Sequence, residues 1–154
     1  MNTGSPACFG NEIASYASTK AGLFGLTRTT AIFGEPHDVR VNLLLPAAWS
    51  RLTALLPDSG FKNQLHADFG ADRISPLVGW MASERCDVTG ETFTAGGGRF
   101  SRVVYAATEA QPLAADLDAV GSAVTSAMTE TRWTVLRSTQ DNMVHLGMPE
   151  DIDR

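Results

Sequence analysis

Cysteine, lysine and tyrosine are scarce in this 154-residue sequence, with two of each, and no apolar run approaches the roughly 20 residues needed to cross a bilayer. The opening Met1-Asn2-Thr3-Gly4-Ser5 has neither the basic nor the apolar stretch of a secretory leader. These absences argue against a membrane protein and make the cytosol the expected compartment. Cys8 and Cys86 stand apart without Cys-x-x-Cys spacing, and His37, His66 and His145 have no partner at ligand or relay spacing. No metal site is expected, and both thiols read as reduced and structural. Positive charge is thin as well: the net charge is −5, the pI is 5.1 and the arginines are scattered singly. That excludes the clustered cationic footprint of a nucleic-acid-binding protein. What is there, 44% hydrophobic and 19% charged residues, is the composition of a soluble globular domain with one principal core.

Against that scarcity, Tyr16 and Lys20 fall four residues apart in Ser15-Tyr16-Ala17-Ser18-Thr19-Lys20-Ala21-Gly22. On a helix, such positions share a face, with Cβ atoms about 5 to 6 Å apart. A phenol is a poor proton carrier at neutral pH, and a fixed neighbouring cation favours its ionised form. The pair therefore has the makings of a general acid/base. The alternative is an aromatic residue and a lysine that share a face by chance.

From Glu12 to Phe33 no proline interrupts a run that is apolar on more than one side, which predicts a long, largely buried helix closed by Gly34 and Pro36. Val39 to Leu45 predicts a strand buried on both faces and cut off by Pro46. Residues 47–72 carry short helical patches between Pro57, Gly60 and Gly70 and read as a mobile insertion, a candidate lid. Ser75 followed by Pro76 predicts a capped helix to Ser83 with Leu77, Trp80 and Met81 on its core face. A strand over Glu91–Ala95, a turn at Gly96-Gly97-Gly98 and an edge strand over Arg99–Ala106 follow. Beyond Ala107 an amphipathic helix is expected from Ala114 to Met128, with the last twenty residues irregular and Asp116 and Glu130 as ordinary surface charges. The alternation of helices and strands predicts an α/β fold with a parallel sheet over residues 1–106 and a helical extension over 107–154.

Asn2-Thr3-Gly4-Ser5, Phe9-Gly10-Asn11 and Tyr16-Ala17-Ser18-Thr19-Lys20-Ala21-Gly22 together resemble the catalytic segment of the short-chain dehydrogenase/reductase family. Val39-Arg40-Val41-Asn42 leading to Leu45-Pro46-Ala47, and Val88-Thr89-Gly90-Glu91 leading to Gly96-Gly97-Gly98, match its next two strands in order. Within the family the sequence looks most like the branch of multifunctional-type 3-hydroxyacyl-CoA and 17β-hydroxysteroid dehydrogenases. The resemblance implies a partial Rossmann-like sheet, the C-terminal half of a doubly wound fold. It implies that Tyr16 exchanges a proton with the substrate oxygen while NAD or NADP exchanges a hydride with the carbon. Lys20 would assist that proton and hold the ribose hydroxyls, and Ser5 would polarise the substrate oxygen. Pro46 and Ala47 sit where the family has Pro-Gly, and Ser50 matches its nicotinamide-holding hydroxyl, so these residues join Tyr16 and Lys20 as the implied cofactor contacts. The implied substrates are small alcohols or ketones, or hydroxyacyl thioesters, and the implied assembly is a homo-oligomer through helix 12–33.

The sequence contains no Thr-Gly-x-x-x-Gly-x-Gly turn to seat a dinucleotide pyrophosphate. It reads as the catalytic half of a dehydrogenase, with Met1-Asn2-Thr3 as the end of the fifth strand. Val41 to Leu45 is then expected at an open sheet edge, which predicts self-association and weak binding of cofactor by the chain alone. Two functional readings follow: an NAD(P)-dependent oxidoreductase, or a catalytically inactive remnant acting as a helix-mediated interaction module.

Overall fold

The computed structural model describes residues 1–113 and 115–150, which form two compact units divided after Val103. No helix among the described residues is long and apolar enough to cross a membrane.

The first unit is a four-stranded sheet in the order β1 (Asn2–Thr3), β2 (Leu43–Ala47), β3 (Thr92–Gly96) and β4 (Arg99–Val103). The first three strands run parallel and β4 returns antiparallel. Side chains alternate between the two faces of β2. Leu43 and Leu45 pack with Phe24 of helix α1 (Ala14–Gly34), whereas Leu44 packs with Phe93, Ala95, Ile74 and Met81 on the side of helix α3 (Ser75–Met81). Between them lies α2 (Gly60–Asp68), flanked by single 3-10 turns at Thr53–Leu55 and Ala71–Arg73.

The expected open edge at Val41 to Leu45 is not there, because β1 and β3 flank β2 on either side. The strand also starts later than expected and runs through Pro46. Asn42 and Leu44 accept backbone hydrogen bonds from Asn2 and Gly4, so even-numbered backbone groups face β1. The N–H that Pro46 lacks therefore points to the side where β1 has already ended, and costs the ladder nothing. Residues 39–42 are tethered instead to the loop before β3. Gly90 donates to Val41 O, and the buried Asn42 side chain donates to Val88 O at 2.7 Å and accepts from Glu91 N–H at 3.0 Å.

Helix α1 corrects the expectation of burial on several sides. Only Phe24, Thr27, Ala31 and Gly34 are buried, a single stripe at helical spacing, while Leu26, Ile32 and Phe33 are exposed. The α-helix ends at Gly34 as expected, and a 3-10 turn over Glu35–His37 follows it, closed by Asp38 in the left-handed conformation. A Cβ on Gly34 would come within 2.4 Å of the Val39 carbonyl oxygen, so the close return of the chain is what demands glycine. Ser75 begins α3 rather than capping it, its hydroxyl donating to Ala71 O. Leu77 and Trp80 are half-buried and Met81 is buried on the expected face. Gly97 and Gly98 make the β3–β4 turn with φ of +57° and +74°, the primed geometry that antiparallel strand twist favours.

The second unit pairs β5 (Ala106–Thr108) with β6 (Trp133–Val135) antiparallel, and adds α4 (Leu117–Thr129) and α5 (Thr139–His145). The expected amphipathic helix is α4, capped by Asp116, which accepts from Ala119 N–H at 2.8 Å. Its first expected residue, Ala114, lies outside the described residues. Part of the tail expected to be irregular is ordered by α5. Its cap Ser138 accepts from Asp141 N–H and its hydroxyl donates to the Asp141 carboxylate at 2.6 Å, a local device with no long-range periodicity to reveal it. Glu130 is not an ordinary surface charge either. Arg132 holds it in an ion pair at 3.0 Å and also pairs with Glu109, which follows β5.

Candidate active site

Tyr16 and Lys20 lie on one face of α1, one turn apart, with the Lys20 Nζ 5.6 Å from the centroid of the phenol ring. That distance places the ammonium within reach of the ring's electron-rich face. The tyrosine is 39% exposed, open to a substrate from solvent, and the lysine is half-buried. Among the described residues no carboxylate pairs with Lys20, so its donors are available to a ligand. Helix α1 is entered through an Asx turn, in which Asn11 accepts from Ile13 N–H at 3.0 Å. It is fixed to the sheet by Asn2, whose side-chain amide donates to the fully buried Thr27 hydroxyl at 3.0 Å. The pair therefore continues, toward the start of the helix, the same stripe that Phe24, Thr27, Ala31 and Gly34 anchor in the core.

Ser5 follows β1, and its hydroxyl accepts from Ala7 N–H at 3.2 Å, capping the 3-10 turn Pro6–Phe9 that packs against α1. Among the described residues its own proton has no acceptor and can donate to a ligand. Pro46 and Ala47 close β2, and the register that pairs Thr3 with Leu44 brings Ser5 level with them at the C-terminal edge of the parallel strands. That edge is where ligands bind in open α/β sheets. Ser50 lies three residues beyond Ala47 and is tied to Thr53: Ser50 N–H donates to Thr53 Oγ1 at 2.7 Å, and Thr53 N–H donates back to Ser50 Oγ at 3.2 Å. Thr53 was missed in the sequence, although a hydroxyl residue three positions after a serine is the spacing of a capping pair.

The structure thus joins Tyr16 with Lys20 directly, and gathers Ser5, Pro46 and Ala47 at one sheet edge. No hydrogen bond links Ser5, Pro46, Ala47 or Ser50 to Tyr16 or Lys20 among the described residues. The segment expected to act as a lid is held to the sheet exit, where Trp49 N–H donates to Phe69 O at 2.7 Å and the Trp49 and His66 rings meet edge to face at 4.7 Å. His145 also has a partner, the Thr108 carbonyl at 2.8 Å from its Nε2.

No family model matches the chain. A curated relative, the peroxisomal hydratase-dehydrogenase-epimerase of Saccharomyces cerevisiae, is 34% identical over 113 residues, covering 72% of this chain and 12% of its own length. The chain spans only 12 to 34% of the length of the first curated relatives it matches. Among solved structures, the full-length peroxisomal multifunctional enzyme type 2 of Drosophila melanogaster superposes with a TM-score of 0.73 at 22% identity, covering 94% of this chain and 27% of that one. A short chain dehydrogenase from Mycobacterium avium superposes at 0.65 with 27% identity, covering 85% and 43%. A 4-hydroxyisoleucine dehydrogenase mutant complexed with NADH and succinate gives 0.53 at 22% identity over 63% of this chain and 45% of that one. The Tyr16–Lys20 helix, the ordered strand motifs and the Rossmann-like sheet agree with these likenesses: the chain belongs to the short-chain dehydrogenase/reductase family, of which it spans part of the length.

Proposed function

We propose that the chain carries the proton-transfer half of an NAD(P)-dependent oxidoreductase site acting on a hydroxyl/carbonyl pair. The observation behind this reading is the Lys20 ammonium 5.6 Å from the Tyr16 ring on an anchored helix. Tyr16 gives a proton to the substrate oxygen in reduction and takes it back in oxidation. Lys20 steadies the charge that develops on the phenol and offers its remaining donors to ribose hydroxyls. Ser5, whose proton has no acceptor among the described residues, donates to the same substrate oxygen from the sheet edge.

A nicotinamide cofactor, NAD or NADP, would supply the hydride. The residues present fit its nicotinamide-riboside end: an unpaired lysine, the backbone exit at Pro46 and Ala47, and the Ser50 hydroxyl. The described residues include no strand, glycine-rich turn and helix to cradle a pyrophosphate. The proposed substrates are small secondary alcohols, ketones or hydroxyacyl thioesters. The proposed compartment is the cytosol; the relatives named peroxisomal make the peroxisome the alternative, and fractionation separates the two.

The test follows NAD(P)H absorbance with secondary alcohols and 3-hydroxyacyl thioesters for wild type and Tyr16→Phe. Turnover that the variant loses supports the reading. Identical traces favour the second one, a non-catalytic module that binds through α1, to which the exposed Leu26, Ile32 and Phe33 lend weight. That module, like the proposed homo-oligomer, predicts association by sedimentation that Phe33→Glu abolishes.

A further inference from the structure

A cavity of about 500 Å3 opens in the first unit on the α3 side of the sheet, within the span of roughly 300 to 1,000 Å3 usual for small-molecule pockets. It is unrelated to the acid/base pair, since Phe93 and Ala95 in its wall belong to the cluster with Leu44, whereas α1 packs on Leu43 and Leu45. Leu77 and Trp80 of α3 form one wall, and Phe93 of β3 and Phe100 of β4 the other. The two phenyl rings meet edge to face at 6.3 Å, and Phe100 is 65% exposed.

Arg73 and Arg99 complete the lining, and both are exposed. In having no side-chain partner among the described residues they resemble Arg28, Arg51 and Arg85, whereas three other arginines are engaged. Arg102 and Arg132 are paired with glutamates, and Arg40 donates to the Glu84 and Cys86 carbonyls. The guanidinium groups of Arg73 and Arg99 have no such partner among the described residues. Two exposed arginines thus line one aromatic hollow in a chain of net charge −5.

We propose that this cavity binds a planar aromatic carboxylate, its ring packed among Trp80, Phe93 and Phe100 and its carboxylate held by Arg73 and Arg99. Aromatic walls favour offset or edge-to-face ring packing, and the guanidinium fork matches a carboxylate in geometry and charge. The apolar lining leaves polar recognition to the two arginines, which suits one anionic group on an apolar body rather than a polyphosphate.

Equilibrium dialysis of 2-naphthoate against the 154-residue chain tests this, with 2-naphthamide as the uncharged counterpart. Naphthoate is expected to bind at least about ten-fold more tightly than the amide, and Arg73→Gln and Arg99→Gln each to weaken it by about ten-fold. Circular dichroism checks that these two surface variants keep the wild-type fold. The site is read from the three tryptophan indole N–H signals by nuclear magnetic resonance: that of Trp80, assigned with Trp80→Phe, moves on titration while those of Trp49 and Trp133 hold still. Equal binding of acid and amide, binding indifferent to both arginines, a still Trp80 signal, or no binding at millimolar naphthoate each overturn the proposal.

Discussion

The Lys20 ammonium stands over the Tyr16 ring at 5.6 Å, and no carboxylate among the described residues competes for it. Because Lys20 makes no ion pair that holds the fold, Lys20→Met is expected to leave the thermal midpoint within about 1 °C of wild type. Where turnover is measurable, kcat/KM should fall by roughly 10² or more, the scale of a lost acid/base contribution. Unfolding monitored by circular dichroism, beside the NAD(P)H assay, separates the two effects. A drop in midpoint that accounts for the lost activity would make the lysine structural.

Asn42 is 3% exposed and satisfies two backbone groups in the loop before β3, Val88 O and Glu91 N–H. Replacement by leucine keeps the branching at Cγ and strands both groups. At about 1 to 3 kcal/mol for each unsatisfied buried group, Asn42→Leu should destabilise the first unit by roughly 3 kcal/mol in urea unfolding. A change below about 1 kcal/mol would mean that water reaches the loop.

Two glycines of α1 should respond with opposite signs. Gly34 has the Val39 carbonyl oxygen 2.4 Å from where a Cβ would sit, so Gly34→Ala is expected to cost about 2 kcal/mol through forced displacement. Gly22 has nothing within 4 Å of that position, and Gly22→Ala should stabilise the helix by about 0.5 to 1 kcal/mol. Melting temperatures of the two variants, compared with wild type, settle both signs.

The second unit carries a pH dependence. The Arg132 side chain, aided by the backbone N–H groups of Arg132 and Thr131, pulls the Glu130 carboxyl from its ordinary 4.5 down to about 2. The Ser138 hydroxyl lowers Asp141 in the same sense. A depressed carboxyl adds stability that is complete above its unfolded value and disappears as pH falls through the folded one. Loosening of the β5–β6 pair is therefore expected between about pH 4.5 and 2, read by the fluorescence of Trp133 on β6 in a protein with Trp49 and Trp80 replaced by phenylalanine. Glu130→Gln should flatten that titration, and an unchanged curve would locate the acid response elsewhere.

Some elements could be read from local pattern because local geometry makes them. The four-residue step from Tyr16 to Lys20 needs only a helix to bring the groups together, and the turn at Gly97-Gly98 needs only the positive φ values that glycine accepts. Others depended on distant partners. Pro46 was expected to end a strand, and it is tolerated because β1 stops two residues earlier in register. Ser138 was passed over because a seven-residue helix is too short for its period to stand out. Trp80, expected as core, is half-buried and lines a cavity, since the Arg99 and Phe100 that complete the hollow arrive only through the β3–β4 pairing.

By itself the sequence determined the α/β alternation, the family motifs in their order and the placing of Lys20 beside Tyr16, all of which follow from spacing along one chain. Only the tertiary structure decided that α1 buries a single stripe and exposes Leu26, Ile32 and Phe33, that β2 lies inside the sheet, and that Arg73 and Arg99 share the rim of one aromatic cavity. Spacing fixes which side chains share a face. Whether that face meets a neighbour, water or a hollow is set by packing between segments tens of residues apart, where sequence separation carries no distance.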